Sequence, residues 1–279
     1  MTTIILATQR TGSTLLCSEF EDLGGLGRPG EHFLPWLRAH PEDEEITEEA
    51  LEEIFSRGRD DGGRIGLKLM AGYLPDIGRA FGSNDADPLK RAHHALKGLE
   101  TCLGPVAYFR LDRSDVFDQA LSAYLATATG LFFRTSDGEV TDAKHAETES
   151  HHTALAAFDG KLFDTYIDQV ERDKAFLSEI CAGMDASILH LTYEDLTRER
   201  HETLTRCCEH GGMPPPESLP KRWMRKVVQS GLRDRFRAAA ESSWKERIAA
   251  GRWVTDYAHR VESAGDSPEM NIEKVDYVK

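Results

Sequence analysis

Several things are missing from this 279-residue chain, and each absence narrows what it does. No apolar run approaches the length of a membrane span. The five cysteines (Cys17, Cys102, Cys181, Cys207, Cys208) form an odd set without zinc-type spacing, and Cys207-Cys208 is too close for an ordinary disulfide, so reduced, mostly buried thiols are expected. His93-His94, His145 and His151-His152 also lack metal-site spacing and read as surface positions. The glycine after the first apolar run, Gly12, is followed by Ser13 rather than lysine. That argues against a triphosphate-binding P-loop, whose lysine holds the outer phosphates and whose hydroxyl holds magnesium. Positive charge is scarce, 34 Lys and Arg against 48 Asp and Glu for a net charge of −14. A surface that acidic is a poor partner for nucleic acid or an anionic membrane.

What is present begins at the start of the chain. Ile4-Ile5-Leu6-Ala7 reads as a buried strand and runs into Thr8-Gln9-Arg10-Thr11-Gly12-Ser13-Thr14. Leu15, Leu16, Phe20 and Leu23 then recur at helical spacing. A strand–turn–helix of this kind aims backbone N–H groups and the positive end of a helix dipole at one spot suited to an anion. Arginine, glycine and three hydroxyls fall within the five residues 10–14. The strand begins so early that a signal peptide has no room, and a cytoplasmic location is expected.

Further along, 41–53 holds eight acids and no base, with Ile46, Ala50, Leu51, Ile54 and Phe55 at helical spacing, a helix with a solvated acidic face. Strands are expected at Arg64–Met70, Val106–Leu111 and Ser187–Tyr193. Ser114 is placed to cap a helix bearing Val116, Phe117, Ala120, Leu121, Tyr124 and Leu125. Helices are expected over about 153–182 and 195–210, with 82–88 a loop, 134–152 a long polar excursion and Pro214-Pro215-Pro216 a rigid break. Strands alternating with helices predict one α/β domain over 1–279, a central parallel sheet flanked by helices, with a polar tail at about 262–279. Ligands bind such sheets at the carboxyl ends of the strands. Four polar segments, 8–14, 68–70, 112–114 and 193–195, should therefore meet on one rim.

Thr8–Leu16 after the opening strand, then Gly27-Arg28-Pro29-Gly30-Glu31-His32-Phe33, resembles the bacterial trehalose sulfotransferase family, whose relatives act on lipopolysaccharide or nodulation factors. The likeness continues in Gly66–Met70, in Arg113-Ser114-Asp115 with Gln119–Ser122, in Tyr193–Leu196, and faintly in Arg233–Arg237. The resemblance implies a P-loop NTPase-like fold, a possible homodimer, and transfer of a sulfuryl group from 3′-phosphoadenylyl sulfate (PAPS) to a hydroxyl of a carbohydrate or glycolipid, with no metal required.

Such a donor carries two anionic ends, a phosphosulfate and a ribose 3′-phosphate. Gln9, Arg10, Thr11, Gly12, Ser13 and Thr14 suit the first, with Arg10 placed to neutralise the bridging oxygen as its bond breaks. The resemblance assigns Arg113 and Ser122 to the second. Their nine-residue separation is about 13 Å of helix, so Arg113 must lie off the helix start and reach along it. The competing reading pairs Arg113 with Asp115 or Asp118, leaving Arg110 as the substitute. Tyr193 is read either as an adenine-stacking residue or as a strand-end core tyrosine. An attacking hydroxyl needs its proton removed. Many cytosolic sulfotransferases use a histidine two residues after a strand lysine, and here Met70 stands in that place after Lys68. The resemblance puts the base on Glu31 instead, with His32 as the alternative base and, with Phe33, part of the acceptor pocket. Lys68, mid-strand in an apolar run, is expected either near the sulfuryl group or in a structural ion pair. The Arg-x-Gly-x-x-Gly-x-Trp segment that closes the nucleotide in many eukaryotic sulfotransferases is absent. Seven basic residues in 221–237 form an amphipathic segment that could cover the nucleotide or grip the acceptor. Asp112, after an apolar strand, is the feature that keeps a kinase or other phosphotransferase as a rival reading, beside a non-catalytic nucleotide-binding protein.

Overall fold

A computed structural model describes residues 2–40, 44–129, 134–135, 158–219, 224–225 and 230–249. The polar tail and most of 134–152 lie outside these residues. Four parallel strands, β1 (Thr2–Ala7), β2 (Gly66–Met70), β3 (Val106–Asp112) and β5 (Ile188–Thr192), form one sheet in the order β2-β1-β3-β5. A two-residue strand β4 (Arg134–Thr135) pairs antiparallel with β6 (Met224–Arg225). This is the expected α/β architecture, a central parallel sheet flanked by helices.

β1 is buried along its whole length because it has a strand on each side and helices on each face. Its period of two sorts the core. Ile4 and Leu6 join Leu67, Leu69 and Tyr108 on one face, under α3 (Glu48–Gly58), α4 (Leu74–Ala80), α5 (Pro88–Leu103) and the end of α7 (Gly160–Ala182). Ile5 joins Phe109, Leu111 and Leu191 on the other face, under α1 (Ser13–Leu23), α8 (Tyr193–Arg198) and α9 (Arg200–His210). A third cluster ties α6 (Val116–Thr129) to the front half of α7 and to α10 (Ser230–Ala249) through Tyr124, Phe163 and Phe236.

Local differences from the sequence reading have identifiable causes. The short helix α2 (Leu34–Ala39) and the full α5 are additional elements, and α5 starts with Asp87 accepting from the Leu89 N–H and Pro88 in the first turn. The α6 cap is Asp115, which accepts from the Asp118 N–H at 2.8 Å, while the Ser114 N–H goes to Glu194. Helix α7 begins at Gly160, capped by Asp159, and 153–157 lie outside the described residues. The 195–210 helix is two helices broken at Glu199, and the first starts at Tyr193 because the Thr192 hydroxyl caps it through the Asp195 N–H. Residues 27–30 carry no regular element and run beside β2. The Arg28 N–H reaches Gly58 O, and Gly30 O accepts from the Lys68 N–H at 2.9 Å, so 27–30 lies along the outer edge of β2. Only glycine permits that approach, since a Cβ on Gly27, itself at φ 77°, would stand 2.1 Å from the Gly66 nitrogen. Covering the edge in this way delivers Glu31 to the carboxyl end of β2.

Candidate active site

The loop between β1 and α1 is built by two residues in left-handed backbone, Arg10 at φ 63° and Gly12 at φ 86°. Arg10 is the one non-glycine residue with positive φ among those described. Gly12 opens α1 without a side-chain cap, so the first-turn amides of the helix are left for something else. The Thr11 hydroxyl turns inward onto Thr8 O at 2.9 Å, and Ser13 is buried, whereas Gln9 and Thr14 are exposed.

All four predicted rim segments meet at this loop. From β2, Lys68 Nζ lies 2.8 Å from Glu31 Oε1 and donates to Thr14 Oγ1 at 3.3 Å. The Lys68 side chain is 7% exposed and that of Glu31 30%, so the lysine is held inside and the carboxylate faces out. From α6, Ser122 Oγ accepts from Arg10 Nε at 3.1 Å, and Gln119 Nε2 donates to Thr8 Oγ1 and Gln9 O at 2.9 and 2.6 Å. From the end of β5, the Tyr193 ring lies against Gly12, where a Cβ would come within 2.5 Å of Cδ2. Arg113, off the start of α6, places its guanidinium 4.8 Å from the centre of that ring.

Arg113 and Ser122 are thus engaged separately. Arg113 Nη2 bonds Asp118 Oδ2 at 3.1 Å, and Asp118 Oδ1 takes Arg237 Nη1 of α10 at 2.8 Å. Arg113 is 7% exposed, and its Nε has no partner among the described residues. Arg110, the substitute candidate, is held by Asp112 and Ser178. Asp112 spends one oxygen on that arginine, and no group of three or more metal-ligating side chains occurs among the described residues. Of the basic segment, Arg237 reaches the site through Asp118, and Arg235 is exposed. Lys221, Arg222 and Lys226 lie outside the described residues.

His32 sends Nε2 to Arg28 O at 2.9 Å. Burial holds its imidazole below the usual histidine range, against the upward pull of that bond. Phe33 is fully buried in the core cluster beneath β2 and anchors the segment bearing Glu31. Two neighbours escape a sequence reading. Tyr73 OH donates to Lys68 O at 3.0 Å, and burial, then the Glu31 charge, keeps its phenol well above the ordinary value. Cys17, one turn into α1, has its thiol pushed up to about 12 by burial despite Lys68, which makes it inert rather than nucleophilic. A third feature is a small void beside the loop between α6 and α7, with room for about one water and lined by Gln9, Gln119, Ala123, Tyr166, Gln169, Val170 and Asp173.

A phosphate-seeking loop, a buried arginine, and a carboxylate–lysine pair at the loop's edge can together bind an anionic group and take a proton from a hydroxyl beside it. The family model described as Stf0 sulphotransferase matches residues 2–239. A search of curated proteins found no match. Among solved structures, the crystal structure of a sulfotransferase from Alicyclobacillus acidocaldarius is similar, with a TM-score of 0.44 and 12% identity over 86% of this chain and 91% of that one. Among the described residues, no helix is long and apolar enough to cross a membrane.

Proposed function

We propose that this chain, which belongs to the Stf0 sulphotransferase family, moves a sulfuryl group from PAPS to a hydroxyl of a carbohydrate or glycolipid, with Glu31 as general base. The observation that carries the reading is the Lys68–Glu31 pair set against Thr14 of the anion loop, with a partly exposed carboxylate beside that loop. PAPS supplies an activated sulfuryl group on a phosphate leaving group. The residues present suit its two anionic ends, since the uncapped start of α1 faces one and the unpartnered Nε of buried Arg113 suits the other. Glu31 accepts the proton of the acceptor hydroxyl as its oxygen attacks sulfur. The sulfur–oxygen bond to the phosphate breaks in line, and the electron pair stays on the phosphate. Arg10 and the loop amides hold that growing negative charge, and Lys68 fixes Glu31 and Thr14 in one geometry.

Calorimetry with adenosine 3′,5′-bisphosphate in the absence of magnesium tests the donor half. Tight binding is expected, whereas preference for magnesium-ATP would favour a phosphotransferase and sink the proposal. Glu31→Gln tests the chemical half. Radiolabelled sulfuryl transfer should fall on the order of 100-fold or more while bisphosphate affinity stays nearly intact. Transfer that survives would put the base elsewhere, and binding with no turnover over a broad acceptor panel would leave a binding protein.

A further inference from the structure

Residues 118–122 of α6 hold both ends of the candidate site. Asp118 takes Arg113 and Arg237, and Ser122 accepts from Arg10 Nε. Between them stands Gln119, to which the sulfuryl chemistry gives no part. Gln119 is fully buried, and its Nε2 donates to Thr8 Oγ1 at 2.9 Å and to Gln9 O at 2.6 Å. The amide fits this place only one way round. Gln9 O accepts and never donates, so the group facing it must be the NH2 and not Oε1. Oε1 accordingly has no partner among the described residues, and both donors of the side chain go to the anion loop and the end of β1.

What the nitrogen fixes is a peptide plane. The carbonyl and the N–H of a trans peptide point in opposite directions, so tying Gln9 O to α6 turns the Arg10 N–H to the side away from α6. Arg10 itself sits at φ 63°, a conformation that an L residue keeps only where its surroundings hold it. Gln119 holds it at the preceding peptide, and Ser122 holds its guanidinium. Thr8, gripped by the same amide through its hydroxyl, in turn receives the Thr11 hydroxyl on its carbonyl. We infer that Gln119 is a positioning residue for the anion loop: buried itself, it sets the backbone against which the phosphosulfate end of the donor rests. The Arg113 end hangs from Asp118 and does not depend on this amide. The inference rests on the sulfotransferase reading for the identity of the donor, but the loop's grip on a 5′-phosphate can be measured without any transfer.

The test compares the full-length wild type with Gln119→Met, which keeps the volume and removes the donors, and Gln119→Glu, which keeps the branched shape and as a carboxylate turns an acceptor toward Gln9 O. Calorimetry uses three probes, adenosine 3′,5′-bisphosphate, adenosine 5′-monophosphate and adenosine 3′-monophosphate. Both variants should bind the two 5′-phosphates about 10-fold or more weakly, and the 3′-monophosphate within about twofold of wild type. At saturating PAPS, turnover should stay lowered by about 10-fold, because a misplaced loop also holds the leaving phosphate less well. Melting temperatures show which variant is folded, and either one alone decides. An equal loss on all three probes overturns the inference, since a damaged fold and not a misplaced loop would then be at work. Wild-type affinity of Gln119→Glu for the 5′-monophosphate overturns it too, because the shape of the side chain would then suffice without its donors. A wild-type protein that binds all three probes yet transfers nothing sinks the sulfotransferase reading, and the binding comparison still decides the role of Gln119.

Discussion

Arg10→Gly separates what Arg10 does for the fold from what it does for the loop. The residue holds φ 63°, a conformation that costs an L side chain about 1 kcal/mol and glycine almost nothing. Its Nε donates to Ser122 Oγ at 3.1 Å, a part-buried charged bond whose loss costs about 1–2 kcal/mol. These two effects oppose each other and differ by no more than about 1 kcal/mol, about 2–4 °C in melting temperature for a domain of this size, and a larger shift would measure the further contact that Arg10 makes. Transfer should behave differently. Removing one donor from a site that stabilises developing negative charge lowers turnover by about 100- to 1,000-fold. A thermal melt and a radiolabelled transfer assay on the same preparation read both numbers. Arg10→Lys completes the comparison, because it keeps the charge and the backbone cost but loses the planar fork. The reasoning fails if Arg10→Gly loses activity only in proportion to its loss of folded protein, or if it keeps full activity.

Three further outcomes follow from the same geometry. Arg113→Ala should weaken adenosine 3′,5′-bisphosphate binding about 10- to 100-fold by calorimetry, while Arg110→Ala, which breaks a pair with Asp112 and Ser178, should leave it nearly unchanged; equal effects would refute the assignment to Arg113. Gly12→Ala should lower both melting temperature and nucleotide affinity, since it forces a side chain into φ 86° and against the Tyr193 ring. Tyr193→Ala in that background should recover the steric part of the loss and leave the backbone part. Burial pushes the Asp173 carboxyl up to about 6, only partly offset by Arg172. Because the folded value lies above the ordinary one near 4, the wild type loses stability as pH rises through that interval, by up to about 3 kcal/mol. Asp173→Asn should therefore melt with the wild type at pH 4 and above it at pH 7, and a variant less stable at pH 7 would show a carboxylate that the fold needs.

Much of this arrangement is legible in the sequence, and the boundary of legibility has physical causes. β1, the loop and α1 can be read because a fully buried strand is a continuous apolar run and the loop gathers its chemistry in consecutive residues. α5 is marked by Asp87-Pro88, a cap followed by a first-turn proline, but the same pair also ends a polar loop, and local sequence does not choose between them. Ser114 and Asp115 are both good caps, and the choice was made at a distance when Glu194 took the Ser114 N–H. The Lys68–Glu31 pair joins residues far apart in sequence, and nothing local in 27–31 says which strand that segment runs beside. Asp173 is least legible of all, because an aspartate on a long amphipathic helix normally faces water, and only the packing of α7 against α6 and the loop withdraws it.

The overall charge illustrates the same limit. A net charge of −14 describes the surface, whereas the loop seeks an anion, and the structure reconciles the two by pairing. Lys68 is set against Glu31, Arg110 against Asp112, and Arg113 and Arg237 share Asp118. The cations at the rim are therefore held in place before any ligand arrives, and the acids that hold them add to the negative total that conceals them. Truncating such an acid leaves a buried arginine uncompensated, and truncating the arginine leaves a buried carboxylate, so neither partner can be changed alone without disturbing the other. Arg10 ties the loop to α6 through a neutral partner, since Ser122 Oγ accepts from its Nε.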